Sequence, residues 1–179
     1  MKRFSSIFLL VTLALSAAAV DKPRVSRQTL ITMEKSLDDR VTRLWDDNPF
    51  VLLGPTRAVY LEGYGAVFTA EVNLVAAAGI SPFHPSYSKP EIDRHHQRKL
   101  ERVPQLKSLL REALAASATS LDTVPPDEQI VFVAFLTRYP WEDGAGIPVQ
   151  VTMQAPKRKL LDAQRAGVNL ESIIRVTEY

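Results

Sequence analysis

The sequence of 179 residues contains no cysteine, and this absence excludes several kinds of protein. Without a thiol, the chain has no disulfide, no thiolate metal ligand and no attachment site for a lipoprotein anchor. It also lacks an apolar run as long as the roughly 20 residues that a membrane-spanning helix needs. We therefore expect a secreted domain without a stable membrane span, held together by its hydrophobic core alone.

The N-terminus has the pattern of a secretory signal peptide. Two basic residues precede an apolar run that ends at Leu15, and Ala17–Ala19 completes an Ala-x-Ala cleavage site. We predict a signal peptide over residues 1–19 and a single secreted domain over residues 20–179, which is periplasmic if the source is Gram-negative. The alternative is an N-terminal anchor that is never cleaved.

Little net charge remains after cleavage of the signal peptide. The 22 lysines and arginines of the full sequence fall to 20, because Lys2 and Arg3 are removed, and these 20 balance 20 aspartates and glutamates. A neutral protein has no general attraction to nucleic acid or to anionic lipid. We therefore expect no nucleic-acid partner.

The stretch from Arg57 to Val75 predicts a central β-hairpin. Two strand-like runs, Ala58–Leu61 and Ala66–Val75, are joined by a turn whose glycines permit positive φ angles or a close backbone approach. In the second run, apolar and polar side chains alternate, as in a strand with one buried face. The apolar set is Ala66, Phe68, Ala70, Val72 and Leu74, and the polar set is Thr69, Glu71 and Asn73.

Helical periodicity predicts two long helical regions. The first runs from a cap at Ser26 to about Asp46, and the second runs from Glu91 to about Ser120. Pro104 leaves two options open for the second region: one kinked helix, or a new helix that starts near the proline.

The second half of the chain adds more strands and completes the fold prediction. The unbroken apolar run Ile130–Leu136 predicts an interior strand that is covered on both faces. Strands joined by a tight hairpin are antiparallel, so we predict a single α+β domain with a mostly antiparallel or mixed sheet and two or three packed helices. The order of elements loosely resembles that of profilin-like and roadblock-type domains, without a shared residue motif.

Charged residues on the helices are assigned to solvated surfaces, because they alternate with the apolar stripes or lie beside residues of opposite charge. This interpretation covers Glu34 and Asp38 on the first helix, Arg94, Arg98, Lys99 and Arg102 on the second, and Lys157, Arg158 and Lys159 near the C-terminus.

The sequence lacks the catalytic and metal-binding motifs that would indicate a reaction. It has no G-x-S-x-G nucleophile turn and no H-E-x-x-H zinc motif. The glycines around Tyr64 precede a strand rather than the helix that a phosphate-binding loop needs. Adjacent His95 and His96 diverge by about 100° on a helix, so both cannot easily reach one ion. We expect no metal site and no cofactor.

The favoured function is a non-enzymatic binding module for an envelope protein or a small ligand. Loops on a rigid scaffold usually carry recognition, so the loops 76–90 and 139–146 are the predicted contact surfaces. Aromatic residues in these loops could instead close off the core, and for Phe83 and Tyr87 this alternative is left open. The candidate binding residues are Phe83, His84, Tyr87, Tyr139, Trp141 and Glu142.

The alternative function is a small hydrolase or isomerase that uses Glu71 with a loop histidine such as His84. If a helix covered the polar row of the second hairpin strand, burial of Glu71 would favour its protonated form, as general acid or base catalysis needs. If that row meets water instead, Glu71 is an ordinary surface carboxylate.

Overall fold

A computed structural model describes residues 25–43, 51–76 and 86–179. Three helices and a mixed sheet of six strands form an α+β domain in these ranges, as the sequence predicts. The predicted signal peptide lies outside them. The elements are α1 (Arg27–Arg43), β1 (Val51–Leu52), β2 (Arg57–Leu61), β3 (Gly65–Asn73), α2 (Lys89–Ser120), β4 (Gln129–Leu136), β5 (Gln150–Pro156), α3 (Lys157–Ala166), a 3₁₀ turn (Leu170–Ser172) and β6 (Arg175–Glu178).

The sheet has the order β1–β3–β4–β5–β6, and β2 also pairs with β3. β2 and β3 form the predicted antiparallel hairpin, and β1 pairs with the far end of β3. β3 and β4 are parallel, which requires a crossover, and α2 provides it. The remaining pairs, β4 with β5 and β5 with β6, are antiparallel.

The helices cover one face of the sheet, which we call the covered face. α2 packs against β4 and β5 and also against α1 and α3. The apolar residues predicted for β3 point to this side and are all buried, as are Ile130 and Phe132 of β4. The rings of Phe68 and Phe132 meet edge to face, with their centroids 5.0 Å apart. The hydrophobic alternation of β3 is therefore confirmed as the centre of the core.

The opposite face of the sheet, which we call the open face, carries no helix among the described residues. Its side chains include Val59, Val67, Val131 and Phe135, which follow from the strand register. The prediction that Ile130–Leu136 is covered on both faces is met at Val131, which is 4% exposed, and is wrong at Phe135. β4 is an interior strand by its hydrogen bonds, but Phe135 is 42% exposed because the helices lie on the other side.

The ends of the helices follow local capping chemistry. The hydroxyl of Ser26 accepts a hydrogen bond from the backbone N–H of Thr29 at 3.1 Å, which confirms the predicted cap of α1. The predicted end near Asp46 lies outside the described residues. α2 begins two residues earlier than predicted, where the backbone N–H of Ser88 donates to the Glu91 carboxylate at 2.8 Å. Pro104 lies inside α2, so this region is one helix.

Several charged side chains assigned to solvated surfaces are buried, and for them that interpretation is wrong. They are Glu34 on α1, Lys99 and Arg102 on α2, and Lys157 on α3. The ammonium group of Lys157 donates to the carbonyl oxygens of Leu121 at 2.6 Å and Val124 at 2.7 Å. Through these hydrogen bonds, Lys157 holds in place the backbone segment that follows the C-terminus of α2. Burial lowers its pKa, and the nearby charge of Asp122 partly opposes this.

Candidate functional site

Aromatic residues from both predicted recognition loops meet beside the first turns of α2. The ring of Trp141 stacks parallel to that of Tyr139, with centroids 5.6 Å apart and an interplanar angle of 6°. Tyr87 lies on Trp141 at a centroid distance of 4.1 Å. The His95 ring also meets Trp141 edge-on at 5.0 Å. The structure thus brings Tyr87 of the predicted loop 76–90 together with Tyr139 and Trp141 of the predicted loop 139–146.

A charge cluster of Lys99, Glu142 and His95 lies within this aromatic group. One oxygen of the Glu142 carboxylate lies 2.6 Å from the Lys99 ammonium, and the other lies 2.9 Å from Nε2 of His95. The side chains of Lys99 and Glu142 are only 2% and 3% exposed. Lys99 also donates to the backbone carbonyl of Thr137 at 2.9 Å. Both carboxylate oxygens of Glu142 are therefore occupied, and this side chain anchors its loop to α2 instead of facing a ligand.

Burial lowers the pKa of His95 below its ordinary value of 6.5. Glu142 opposes this effect through its charge and its hydrogen bond, whereas the positive charges of Lys99 and Arg98 add to it. The native structure therefore favours a neutral His95. A neutral ring that carries its proton on Nε2 donates it to Glu142, so the cluster holds one cation and one anion.

Further hydrogen bonds fix the loop 139–146 from several sides. Nδ2 of Asn73 donates to the Tyr139 hydroxyl at 3.1 Å, and Asn73 is 2% exposed although it belongs to the predicted polar row. Nδ1 of His96 lies 3.0 Å from the backbone carbonyl oxygen of Asp143. His95 and His96 thus hold the loop at two separate points. This arrangement restrains the loop and leaves it little freedom to close over a ligand.

Glu71 is exposed on the open face, where it borders a recess of about 260 Å³. The recess forms because β1 ends opposite Val72 and β2 begins opposite Thr69, so the chain between them leaves the sheet. None of the helices in the described ranges covers Glu71, and its side chain is exposed, so the burial on which a general acid or base role depends is not present. His84 and Phe83 lie outside the described residues. The residues around the recess are Gly54, Pro55, Arg57, Thr69, Ala70, Glu71 and Phe135.

Sequence reasoning missed Lys99 as a member of this cluster, although a signal for it exists. Leu106 is fully buried, and Arg102, Lys99 and His95 precede it at helical steps of four, three and four residues. This spacing places all four on one side of α2. A charged residue that continues the buried side of a helix is a candidate for a buried ion pair.

Across the ranges 25–43, 51–76 and 86–179, no three histidine, aspartate or glutamate side chains are placed to hold one metal ion. The helices of these ranges include none that is both long enough and apolar enough to cross a membrane. No family model, curated protein or solved structure matches the chain.

Proposed function

We propose that this chain is a secreted, non-enzymatic binding domain, periplasmic in a Gram-negative source, which binds an envelope protein through the open face of its sheet. The exposure of large apolar side chains on that face carries the proposal. Val59 and Leu61 are each 48% exposed and Phe135 is 42% exposed. An exposed apolar area of this kind is characteristic of an interaction site.

The register of the strands places these side chains on the same face of the sheet. Val59 on β2 lies opposite Val67 on β3, and Val67 lies opposite Val131 on β4. Val131 is only 4% exposed, so the accessible apolar area lies at Val59 and Leu61 on β2 and at Phe135 on β4. Leu61 extends this row along β2, and Phe135 extends it along β4. A partner that covers the row removes apolar area from water, which stabilises the complex by about 25 cal/mol for each Å² buried.

The charges on the open face favour an uncharged partner surface. The register places Arg57 and Glu71 on this face away from the valine row, and it places Arg175 at the β6 end of that row, beyond Gln154. The neutral balance of the predicted mature chain adds no long-range attraction of either sign. We infer that the partner is a protein with an apolar, sparsely charged surface.

A protein fits the open face better than a small ligand does. The recess beside Glu71 has a volume of about 260 Å³. Sites for drug-sized ligands have volumes of roughly 300–1,000 Å³ and bury most of the ligand surface. The face around the recess is a broad strand surface, and a broad surface of this kind suits contact with another protein.

The structure offers a matched pair of variants for a test. V59S/F135S changes two residues of the open face, with exposures of 48% and 42%. I31S/V168S changes two residues on helix α1 and beyond helix α3, with exposures of 41% and 50%. Both pairs remove exposed apolar side chains to a similar extent, so their melting temperatures should remain close to that of the wild type.

The experiment immobilises the wild type and both variants and exposes them to an envelope extract from the native source. A protein retained by the wild type and by I31S/V168S is identified by mass spectrometry and purified, and its dissociation constants are then measured. We expect V59S/F135S to bind at least tenfold more weakly. Equal affinity for all three baits would contradict binding through the open face, and so would retention of no protein by the wild type.

The secreted location has a separate test. N-terminal sequencing of the exported protein should find a start at or near Val20, because the predicted cleavage site follows Ala19. Exported material that still begins at Met1 would contradict cleavage and would favour the uncleaved anchor. Binding through the open face does not depend on whether the signal peptide is cleaved.

A further inference from the structure

A recess of about 670 Å³ lies in the groove between α1 and α2, and we call it the α1–α2 recess. The helices lie on the covered face of the sheet, so this recess is separate from the open face. Sites for small ligands have volumes of roughly 300–1,000 Å³. The α1–α2 recess is therefore large enough to hold a small molecule.

The charged side chains that line the recess leave an excess of one positive charge. Three of them are cations, Lys35, Arg40 and Arg43, and two are carboxylates, Asp39 and Glu112. The Asp39 carboxylate lies 3.8 Å from the guanidinium of Arg43. Among the described residues, neither the ammonium of Lys35 nor the guanidinium of Arg40 has an ion pair or a hydrogen bond. These two cations are therefore available to an anionic group in the recess.

The recess also offers apolar surface close to these cations. Leu109 of α2 is one of its lining residues and is only 6% exposed. Lysine and arginine side chains lay their methylene stems along apolar surface and keep their charged ends in water, so Lys35 and Arg40 extend this apolar area. An apolar wall beside two cations suits a ligand that has an anionic head and an apolar chain.

A small pit adjoins the recess and leads toward the core. Ser36 and Arg40 line both the recess and the pit, which has a volume of about 30 Å³. This is close to the roughly 30 Å³ that one water molecule occupies in the liquid, so the pit admits the end of an unbranched chain and excludes a ring. The apolar residues around the pit are Met33, Leu37, Ala113, Ala116 and Phe132.

We propose that the α1–α2 recess binds a long-chain carboxylate, with its head group at Lys35 and Arg40 and the end of its alkyl chain at the pit. A head with one negative charge matches the excess of one positive charge. A dianionic head such as a phosphate monoester would exceed it and would be repelled by Asp39 and Glu112. Burial of the alkyl chain against Leu109 supplies the hydrophobic part of the affinity.

The first part of the test compares three probes by isothermal titration calorimetry, each below its critical micelle concentration. Decanoate has the anionic head and the long chain, butanoate has the same head with a short chain, and decyltrimethylammonium has the long chain with a cationic head. We expect the purified protein to bind decanoate at one site and the other two probes about tenfold more weakly or less. Absence of decanoate binding would overturn the proposal, and so would equal affinity for the two long-chain probes.

The second part removes the two cations. K35Q/R40Q should bind decanoate about tenfold more weakly than the wild type, because charge-assisted hydrogen bonds are stronger than neutral ones. The matched control is R158Q/K159Q, which removes one exposed arginine and one exposed lysine from α3 and changes the net charge equally. This control should keep the wild-type affinity, and so should V59S/F135S, because neither changes the recess. Wild-type affinity in K35Q/R40Q, or an equal loss in R158Q/K159Q, would overturn the proposed head site.

The third part fills the pit. Ala116 is half-buried on α2, and A116L places a larger side chain there without lowering helix propensity much. We expect A116L to bind decanoate more weakly than the wild type and butanoate equally well, with circular dichroism confirming that the variant is folded. If A116L does not fold, the smaller change A116V carries the same test. A folded pit variant with wild-type affinity for decanoate would overturn the placement of the chain.

Discussion

Phe132 and Phe135 lie on the same strand but on opposite faces of the sheet. Phe132 is 1% exposed and packs on Phe68, whereas Phe135 is 42% exposed and lies opposite Glu71 of β3. The two positions share residue type and strand, so the difference comes from what covers each face. The helices bury the covered face and hold the fold together. The open face contributes less to stability, and Phe135 on it is in contact with solvent.

Alanine substitution of each phenylalanine should give the largest contrast between the two faces. F132A removes a buried ring from the core and should lower the free energy of unfolding by about 3–5 kcal/mol. F135A removes a ring that already meets water and should cost less than about 1 kcal/mol. Urea denaturation of the two variants measures this difference. Equal losses would show that something covers both faces of β4.

The ion pairs allow a similar comparison between a buried site and a more exposed one. The Lys99–Glu142 and Lys107–Glu178 pairs have the same N–O distance of 2.6 Å, but the first is 2% and 3% exposed and the second 24% and 39% exposed. K99M leaves a buried carboxylate without its cation and should cost about 3–5 kcal/mol. K107M should cost less than about 1 kcal/mol.

A double-mutant cycle distinguishes the cost of an unpaired charge from the loss of packing. K99M/E142L removes both charges, so it should be more stable than K99M alone. The comparison again uses urea denaturation. A K99M variant as stable as the wild type would mean that the cluster adds nothing to the attachment of the loop 139–146.

The alternation of β3 and the run in β4 were sufficient to predict the hairpin, the interior strand and the α+β class. Sequence periodicity reports which side of an element is apolar, but it does not report which elements lie against its polar side. Glu34 therefore looks like a surface residue in the sequence, although the edge of β2 lies against it. The same limit applies to the site: Tyr87 and Trp141 were predicted as loop aromatics, but their contact depends on where α2 begins and β4 ends.

The two glycines of the β2–β3 turn allow a comparison between a buried position, Gly65, and an exposed position, Gly63. Both have positive φ, at 76° for Gly63 and 134° for Gly65, as the sequence predicts for the turn. A Cβ at Gly65 would overlap the backbone carbonyl of Gln129 on the neighbouring strand, whereas a Cβ at Gly63 meets open space. G65A should therefore cost about 3 kcal/mol and G63A about 1 kcal/mol. Equal melting temperatures for the two variants would contradict this difference.

The smallest predicted effect is the contribution of His95 to the pH dependence of the free energy of unfolding. Its pKa is lowered in the folded protein relative to 6.5, so the unfolded chain binds the proton more readily. This contribution to stability is fully present above the unfolded pKa and is lost as the pH falls toward the folded pKa. Across about pH 5–8, H95Q should therefore lose less stability on acidification than the wild type. Unfolding curves with the same pH dependence for both proteins would contradict a role for His95.

The most direct test of the difference between the two faces uses the absence of cysteine from the chain. F135C and F132C each introduce a single thiol, and the rate of its reaction with a thiol reagent reports how far solvent reaches that position. We predict that F135C reacts in the native protein at nearly the rate of the unfolded chain, and that F132C reacts only after denaturant is added. A native F135C protein as unreactive as F132C would contradict an open face and, with it, the proposed binding surface.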